Sequence, residues 1–444
     1  MKKIINIKKK IKSFKKKITV EGDKSISIRF ILLASQAIGK SKAYNLLNSE
    51  DVNSAIKCLK KLGIKIDKKK NFCEVTGNGI GGFKFKKNIL LDAGNSGTLG
   101  RLLLALLIKS PYKVKLIGDK SLSKRDFSRI IKPMKNFGAN FYPKNKETLP
   151  ITIKGSEHLK PIKFFEDKGS AQVKSSIMLG ALNIDGETLI KARKSRDHTE
   201  NFFNFLKIPI KIKKEKYIDW IKVTGNKSYK SFNYKIPGDI SSASFPLVLT
   251  LLSENSQLTI KNINVNPSRT GIISILNKMG ACIKLKNIKI DKGERTADIF
   301  VKSIKNLKSI NLSKKFNNSS AIDEFLLIFI CASFSKGISI FRNLEELNKK
   351  ESKRLDWSFK ILKMMGIKTK KIKDHGIKIW GNPNLLLNKT YVIKDYLKDH
   401  RIAMSTATLG LARGGNWKIH DSDSINTSFP SFKKMIKDLG GRIN

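Results

Sequence analysis

Cations sit in this sequence where apolar helices are expected to begin. Lys24, Ser25 and Arg29 open the run GDKSISIRFILLAS, Arg101 lies in NSGTLGRLLLALL, and Arg401 lies in DHRIAMSTATLGLA. Ser25 and Arg29 are four residues apart and therefore share one helical face. A Lys or Arg among apolar neighbours is costly to bury without an anionic partner. A helix start supplies unpaired N–H groups and the positive end of the helix dipole. Together these describe sites for phosphates and carboxylates. Ser170-Ala171-Gln172 offers the same chemistry with a hydroxyl, an amide and a helix start. Capping alone explains the Ser and Asp residues at these starts, but not the cations.

The elements that position these residues repeat. A polar helix start, an apolar helix, a Gly-marked turn, a strand, a second helix and another Gly recur six times, with helix starts near Ser25, Ser96, Ser170, Ser241, Asp323 and His400. The starts are separated by 71, 74, 71, 82 and 77 residues, an imperfect but genuine period. The first helix of each unit (LLLALLI, FPLVLTLL, FLLIFICASF) is apolar on nearly all sides and belongs in a core. The second (SAIKCLKKLG, ISILNKMG) is amphipathic and belongs outside. Runs such as KAYNLL, GISIFRNL and NWKIH read as strands. Each unit is a βαβαββ module, and six modules make two domains of three, with a boundary near Ile236-Pro237-Gly238.

A chain of 444 residues suggests two or three domains. Its 89 Lys and Arg against 36 Asp and Glu leave a net charge of +53. Nucleic-acid and anionic-membrane binders carry such charge. Here Lys recurs in strands, loops and helices alike, Arg is scarce, and Lys, Asn and Ile share A/T-rich codons. The excess reads as compositional drift, so no specific nucleic-acid partner is expected, although the field draws small anions. The four cysteines form no CxxC pair and the five His no metal-spaced cluster, so a reduced compartment, no metal and no cofactor are expected. Each Cys reads as a small buried apolar residue. The start, MKKIINIKKKIKSFKKK, lacks a signal's apolar stretch, and runs such as Leu102–Ile108 and Phe325–Ile330 are too short to span a bilayer. A cytoplasmic monomer without membrane partners is the expectation. Gly77-Asn78-Gly79-Ile80-Gly81-Gly82 imitates a dinucleotide loop, but FKFKKNILL after it reads as strand rather than helix. Gly39-Lys40-Ser41 imitates the end of a P-loop, but Ala34 stands where its first Gly belongs.

Gly22-Asp23-Lys24-Ser25-Ile26-Ser27-Ile28-Arg29 closely resembles the opening motif of the 5-enolpyruvylshikimate-3-phosphate synthases. NSGT (95–98), SAQVKS (170–175), SRDHTE (195–200), PGDISSA (237–243), NPSRTG (266–271), IDE (322–324), KES.R (350–354), DHRIAM (399–404) and TSFP (427–430) follow in family order over nearly the whole chain. The resemblance implies a fold of two inside-out α/β barrel domains, three repeats each, with buried helices, outer sheets and a double crossover, closing on ligand. Residues 24–236 would form the first domain, and 1–23 with 237–444 the second.

The resemblance also implies a chemistry: the 5-hydroxyl of shikimate 3-phosphate attacks C2 of phosphoenolpyruvate while C3 takes a proton, and the tetrahedral intermediate then expels phosphate. Shikimate 3-phosphate would lie against Lys24, Ser25, Arg29, Ser170, Ala171, Gln172, Arg196, Asp323 and Lys350. Phosphoenolpyruvate would lie against Lys24, Gly97, Arg125, Gln172, Arg354 and Arg401, whose guanidinium forks suit a carboxylate and a phosphate. Asp323 would take the hydroxyl proton, Glu351 would serve C3, and Lys24 would act at the bridging oxygen. Arg196 could instead pair with Asp197 or Glu200, and Asp323-Glu324 could simply favour a helix start. By the same resemblance, glyphosate fills the phosphoenolpyruvate site and presses on Gly97, where tolerant relatives carry Ala.

Four departures stand out. Ile28 replaces the family's His, Glu21 a Pro, and Lys353 an Asp, while Thr427 stands where one branch has a Lys on phosphoenolpyruvate. The related UDP-N-acetylglucosamine enolpyruvyl transferases carry a reactive Cys that GDKSLSKRDFSRI lacks. An RNA-binding protein on a related repeat fold would need aromatic platforms beside basic grooves, and the sequence displays none.

Overall fold

The computed structural model describes residues 4–69, 71–85 and 89–444. They divide into two compact units, one built from Gly22–Ile236 with Asp291–Glu294, the other from the residues up to Glu21 with Pro237–Ile290 and Arg295–Asn444. Within the first unit the buried Glu294 carboxylate lies 2.7 Å from Nδ1 of the buried His198.

Each unit is an inside-out α/β barrel, with three buried helices inside three small sheets. In the first unit the buried helices are Lys24–Gln36, Gly97–Leu106 and Ala171–Ala181. In the second they are Ile240–Leu252, Phe325–Ser333 and His400–Arg413. All thirteen residues of Ile240–Leu252 are buried. That requires the all-round apolar sequence read above, because a helix surrounded by sheets has no solvent face. The outer helices keep an apolar stripe: in Ser128–Phe137 the buried residues are Ile130, Ile131, Pro133, Met134 and Phe137.

The module order is visible in the sheets. Strand Ile89–Asp92 runs parallel to Val114–Ile117 across the buried helix Gly97–Leu106, and Ile151–Lys154 and Asn140–Tyr142 add antiparallel. In the first module the leading strand comes from far along the chain, since Asn233–Lys235 pairs parallel with Ile38–Tyr44. In the second unit Lys15–Ile18 leads the module of helix Ile240–Leu252 by pairing parallel with Gln257–Asn264. Ile5–Ile7 closes the last module antiparallel to Asn416–Ile419.

Some local readings need correction. The strand expected at KAYNLL is Ile38–Tyr44: it starts earlier and ends where Asn45 adopts a φ of 58°. After the Gly77–Gly82 turn the chain forms strand only at Ile89–Asp92, and residues 86–88 of the expected run lie outside the described residues. Cys58, Cys73 and Cys331 are buried, but Cys282 is exposed. Aromatics beside lysines do occur. On the outer face of one sheet Phe165 and Trp220 are 51% and 42% exposed, and Lys191, paired between them, places Nζ 5.2 and 5.0 Å from their ring centroids. The sequence hid this because the three strands are distant along the chain. Among the described residues no helix is long and apolar enough to cross a membrane.

Candidate active site

Five of the six buried helices begin with a side-chain cap. Asp23, Ser96, Ser170, Asp239 and Asp399 accept from the backbone N–H of Ile26, Leu99, Val173, Ser241 and Arg401 at 2.9, 3.3, 3.4, 2.8 and 3.0 Å. These caps fix the first turns, and the candidate ligands are carried on or beside them. The sixth helix start is different. Glu324 precedes Phe325 but makes no capping bond; its buried carboxylate accepts the Ser241 hydroxyl instead. Helix capping therefore does not explain Glu324.

In the first unit Lys24 stands one residue after its cap, with Nζ 2.9 Å from Asp51 Oδ2. Arg29 is buried one turn further on. Its Nη1 donates to the Ser25 carbonyl at 3.1 Å, Nε to Thr199 Oγ1 at 2.8 Å and Nη2 to Ser175 Oγ at 3.0 Å. Arg101 Nη1 donates to Gln172 Oε1 at 2.6 Å, and Gln172 Nε2 donates to Thr98 Oγ1 at 3.1 Å. The Arg101 guanidinium also stacks 5.1 Å from the centroid of Phe127. Arg125 Nη2 donates to Asn95 Oδ1 at 3.0 Å. A Cβ on Gly97 would lie 3.0 Å from Arg125 Nη1 and 3.1 Å from Arg101 Nη1. The glycine is what lets two guanidinium groups close on one helix start. Two positive charges thus converge on the positive end of this helix dipole, where an anion is favoured. Arg196 lies half-buried just ahead of helix His198–Phe205. Beside it, Asp197 lies 3.7 Å from Lys214 Nζ, and Glu200 lies 2.5 Å from Lys174 Nζ.

The second unit gathers carboxylates around one guanidinium. Buried Arg354 donates from Nε to Asp399 Oδ2 at 2.8 Å, from Nη1 to Asp323 Oδ1 at 3.1 Å, from Nη2 to Asp399 Oδ1 at 3.2 Å, and from Nη2 to Glu351 Oε2. Burial pulls its proton affinity down, but the charges of Asp399, Glu351 and Asp323 hold it well above the ordinary arginine value. The three carboxylates differ in reach. The Asp399 side chain is 0% exposed, whereas Asp323 and Glu351 are 13% and 16% exposed and keep some access to solvent. Lys350 Nζ lies 3.6 Å from Asp323 Oδ1. Arg401 Nη1 donates to the Asp323 carbonyl at 2.9 Å and lies 3.5 Å from Glu324 Oε1.

The structure thus brings Lys24, Ser25 and Arg29 onto one helix start, and Gly97, Arg125 and Gln172 around another with Arg101. It brings Asp323, Lys350, Glu351, Arg354 and Arg401 into a third cluster. The anionic partners expected for the buried cations are in several cases the protein's own: Asp51 for Lys24, Asp323 and Glu324 for Arg401. Sequence reading missed Thr199, Ser175, Asp51 and Asp399. Thr199 and Asp399 lay inside quoted motifs, but their partners are 170 and 45 residues away. Thr427 is buried, donating to the Ser424 carbonyl at 2.8 Å with His400 Nδ1 at 3.1 Å. Ile28 is fully buried in the core and Lys353 is exposed.

Three-module barrels with cations and carboxylates at helix starts define the enolpyruvyl transferase class of architecture, and likeness to known proteins narrows it. The family model of EPSP synthase (3-phosphoshikimate 1-carboxyvinyltransferase) matches residues 8–436. A 3-phosphoshikimate 1-carboxyvinyltransferase of Vesicomyosocius okutanii is 39% identical over 428 residues, covering 96% of each chain. One from Thermoanaerobacter sp. is 38% identical over 438 residues, 98% of this chain and all of the relative. An EPSP synthase structure from Acinetobacter baumannii superposes with a TM-score of 0.85 at 33% identity, covering 100% of this chain and 99% of that one. The enolpyruvyl transferase NikO from Streptomyces tendae, at 13% identity and a TM-score of 0.75, shares the fold. The chain belongs to the EPSP synthase family, whose reaction carries the enolpyruvyl group of phosphoenolpyruvate to shikimate 3-phosphate.

Proposed function

We propose that this chain performs that transfer with the residues gathered at its helix starts, acting as a monomer on two small anions and without a specific nucleic-acid partner. The domains would be 24–236 and 1–23 with 237–444. Shikimate 3-phosphate is held by Lys24, Ser25, Arg29, Ser170, Ala171, Gln172, Arg196, Asp323 and Lys350. Phosphoenolpyruvate is held by Lys24, Gly97, Arg125, Gln172, Arg354 and Arg401. The observation that carries this reading is the sharing of Arg354 by two partly exposed carboxylates, Asp323 and Glu351.

The chemistry follows from that sharing. An incoming donor carboxylate competes with Asp323 and Glu351 for the Arg354 fork. Asp323 is then free to accept the proton of the 5-hydroxyl as its oxygen bonds to C2. Glu351, protonated once the donor takes its place on Arg354, delivers that proton to C3, which completes the tetrahedral intermediate. Glu351 next removes a proton from C3 as the C2–O bond to phosphate breaks, and Lys24 balances charge on the departing bridging oxygen. The net change is one C–O bond made and one broken; Glu351 ends protonated as it began, and the hydroxyl proton passes from Asp323 to the released phosphate.

The test is phosphate release from phosphoenolpyruvate with shikimate 3-phosphate as acceptor, compared with UDP-N-acetylglucosamine. Turnover with the first and none with the second is expected. Turnover with only the sugar nucleotide would overturn the proposal.

A further inference from the structure

Two residues of the family motifs have no part in the proposed chemistry, yet lie among the deepest in the first unit. Lys174, of SAQVKS, has a side chain 0% exposed; Glu200, of SRDHTE, is 4% exposed, with Oε1 2.5 Å from Lys174 Nζ. Glu200 Oε2 has no hydrogen-bond partner among the described residues. Each stands next to a residue that grips Arg29. Ser175 Oγ accepts Arg29 Nη2 at 3.0 Å, Thr199 Oγ1 accepts Nε at 2.8 Å, and the two hydroxyls are 2.7 Å apart. Two polar rungs therefore join helix Ala171–Ala181 to helix His198–Phe205 side by side, one ionic and one of hydroxyls.

Cohesion does not explain the ionic rung. An apolar pair of similar volume would hold the two helices at least as well, because desolvating both charges offsets their attraction. An apolar pair can slide, whereas a buried ion pair costs too much to break and so fixes the register of the helices that carry it. We infer that Lys174 and Glu200 are positioning residues. They lock the two helices so that Ser175 and Thr199 meet on Arg29 and hold its guanidinium in the orientation that receives shikimate 3-phosphate. The inference rests on the reading of Arg29 given under Proposed function. Ser170, the cap of one helix, and Arg196, two residues ahead of the other, are both assigned to that substrate.

The test is the double variant Lys174→Met/Glu200→Leu, which removes both charges and leaves neither partner stranded. Its melting temperature should match or exceed wild type. Its KM for shikimate 3-phosphate should rise about 10- to 100-fold, the loss of one hydrogen bond to a charged group, while KM for phosphoenolpyruvate moves less than about threefold. A natively stable double variant with both KM values unchanged, or raised equally, overturns the inference. If it does not fold, Thr199→Val decides: it removes the Nε acceptor without touching the ion pair, and must raise the same KM selectively. If wild type does not turn over shikimate 3-phosphate, the proposed function fails, and the positioning role is judged by a crystal structure of the double variant. Arg29 Nε displaced from Thr199 Oγ1 supports it; the 2.8 Å contact retained overturns it.

Discussion

Replacing Gly97 by alanine puts a methyl group where two guanidinium groups already converge. The added Cβ would sit 3.0 Å from Arg125 Nη1, 3.1 Å from Arg101 Nη1 and 3.6 Å from Leu122 Cδ1, so both nitrogens must retreat by a few tenths of an ångström. Both are the far ends of flexible side chains, which keeps the overpacking cost at the low end of about 1–3 kcal/mol. A gain in helix propensity, smaller at this first helical position than the about 1 kcal/mol of a helix interior, offsets part of it. The fold should therefore survive. Function responds more sharply, because a hydrogen bond from a charged group is worth about 1.5–3 kcal/mol and Arg125 would lose part of one. Donor affinity should fall about 3- to 10-fold, or about 0.7–1.4 kcal/mol. Glyphosate, longer than the donor, would meet the methyl itself as well as the displaced guanidinium. A further 1–3 kcal/mol, about 5- to 150-fold, should accrue to the inhibitor alone. The assay is glyphosate inhibition against varied phosphoenolpyruvate at saturating acceptor, for both proteins. Wild type should be sensitive, and Gly97→Ala should raise the ratio of inhibition constant to donor KM. An unchanged ratio would refute the placement of Gly97 against the inhibitor.

Glu351→Gln and Asp323→Asn should each lower kcat by about two to four powers of ten with substrate binding better preserved; near-normal kcat in a folded Glu351→Gln protein would remove Glu351 from proton transfer. Native protein at pH 8 should titrate one thiol with an aromatic disulfide reagent and four after unfolding. Cys282 is exposed, whereas burial pushes Cys58 up to about 12, Cys73 to about 11 and Cys331 upward as well. Single-stranded oligonucleotides should bind weakly and release steeply with added salt. Trp220→Ala should not alter that binding, because Lys191 already lies over a face of the ring; tight, sequence-selective binding lost in Trp220→Ala would reverse the reading of the charge.

The repeat and its buried helices were legible because local composition dictates them. A helix apolar on every side, such as FLLIFICAS, has one place to go. Helix starts were legible to within two residues because caps are local chemistry. The cations were legible as anomalies, and Lys24, Arg29 and Arg401 do lie on helix starts. What held them was hidden. Asp51 on Lys24, Thr199 on Arg29 and Asp399 on Arg354 are brought in by other elements, and no periodicity links a residue to a partner 170 positions away. The assignment of particular anions to particular cations came from motif resemblance, since guanidinium chemistry alone suits phosphate and carboxylate alike. The exposed pairing of Phe165 and Trp220 around Lys191 likewise exists only once three strands are laid side by side.

The strand pairings also impose an order on synthesis. Every strand in the first unit's sheets lies between residues 38 and 235, so those sheets can be complete while the rest of the chain is still being translated. The opposite holds for Ile5–Ile7, which emerges about 400 residues ahead of its partner strand Asn416–Ile419. At about 5–20 residues per second, that strand waits roughly 20–80 s for its partner. Throughout the wait it must present its edge to the ribosome's surroundings without joining another chain. Lysines crowd Lys8–Lys17 just beyond it, and charge on an unpaired edge is what keeps such a strand from aggregating. Part of the basic excess would then serve the nascent chain rather than the finished enzyme.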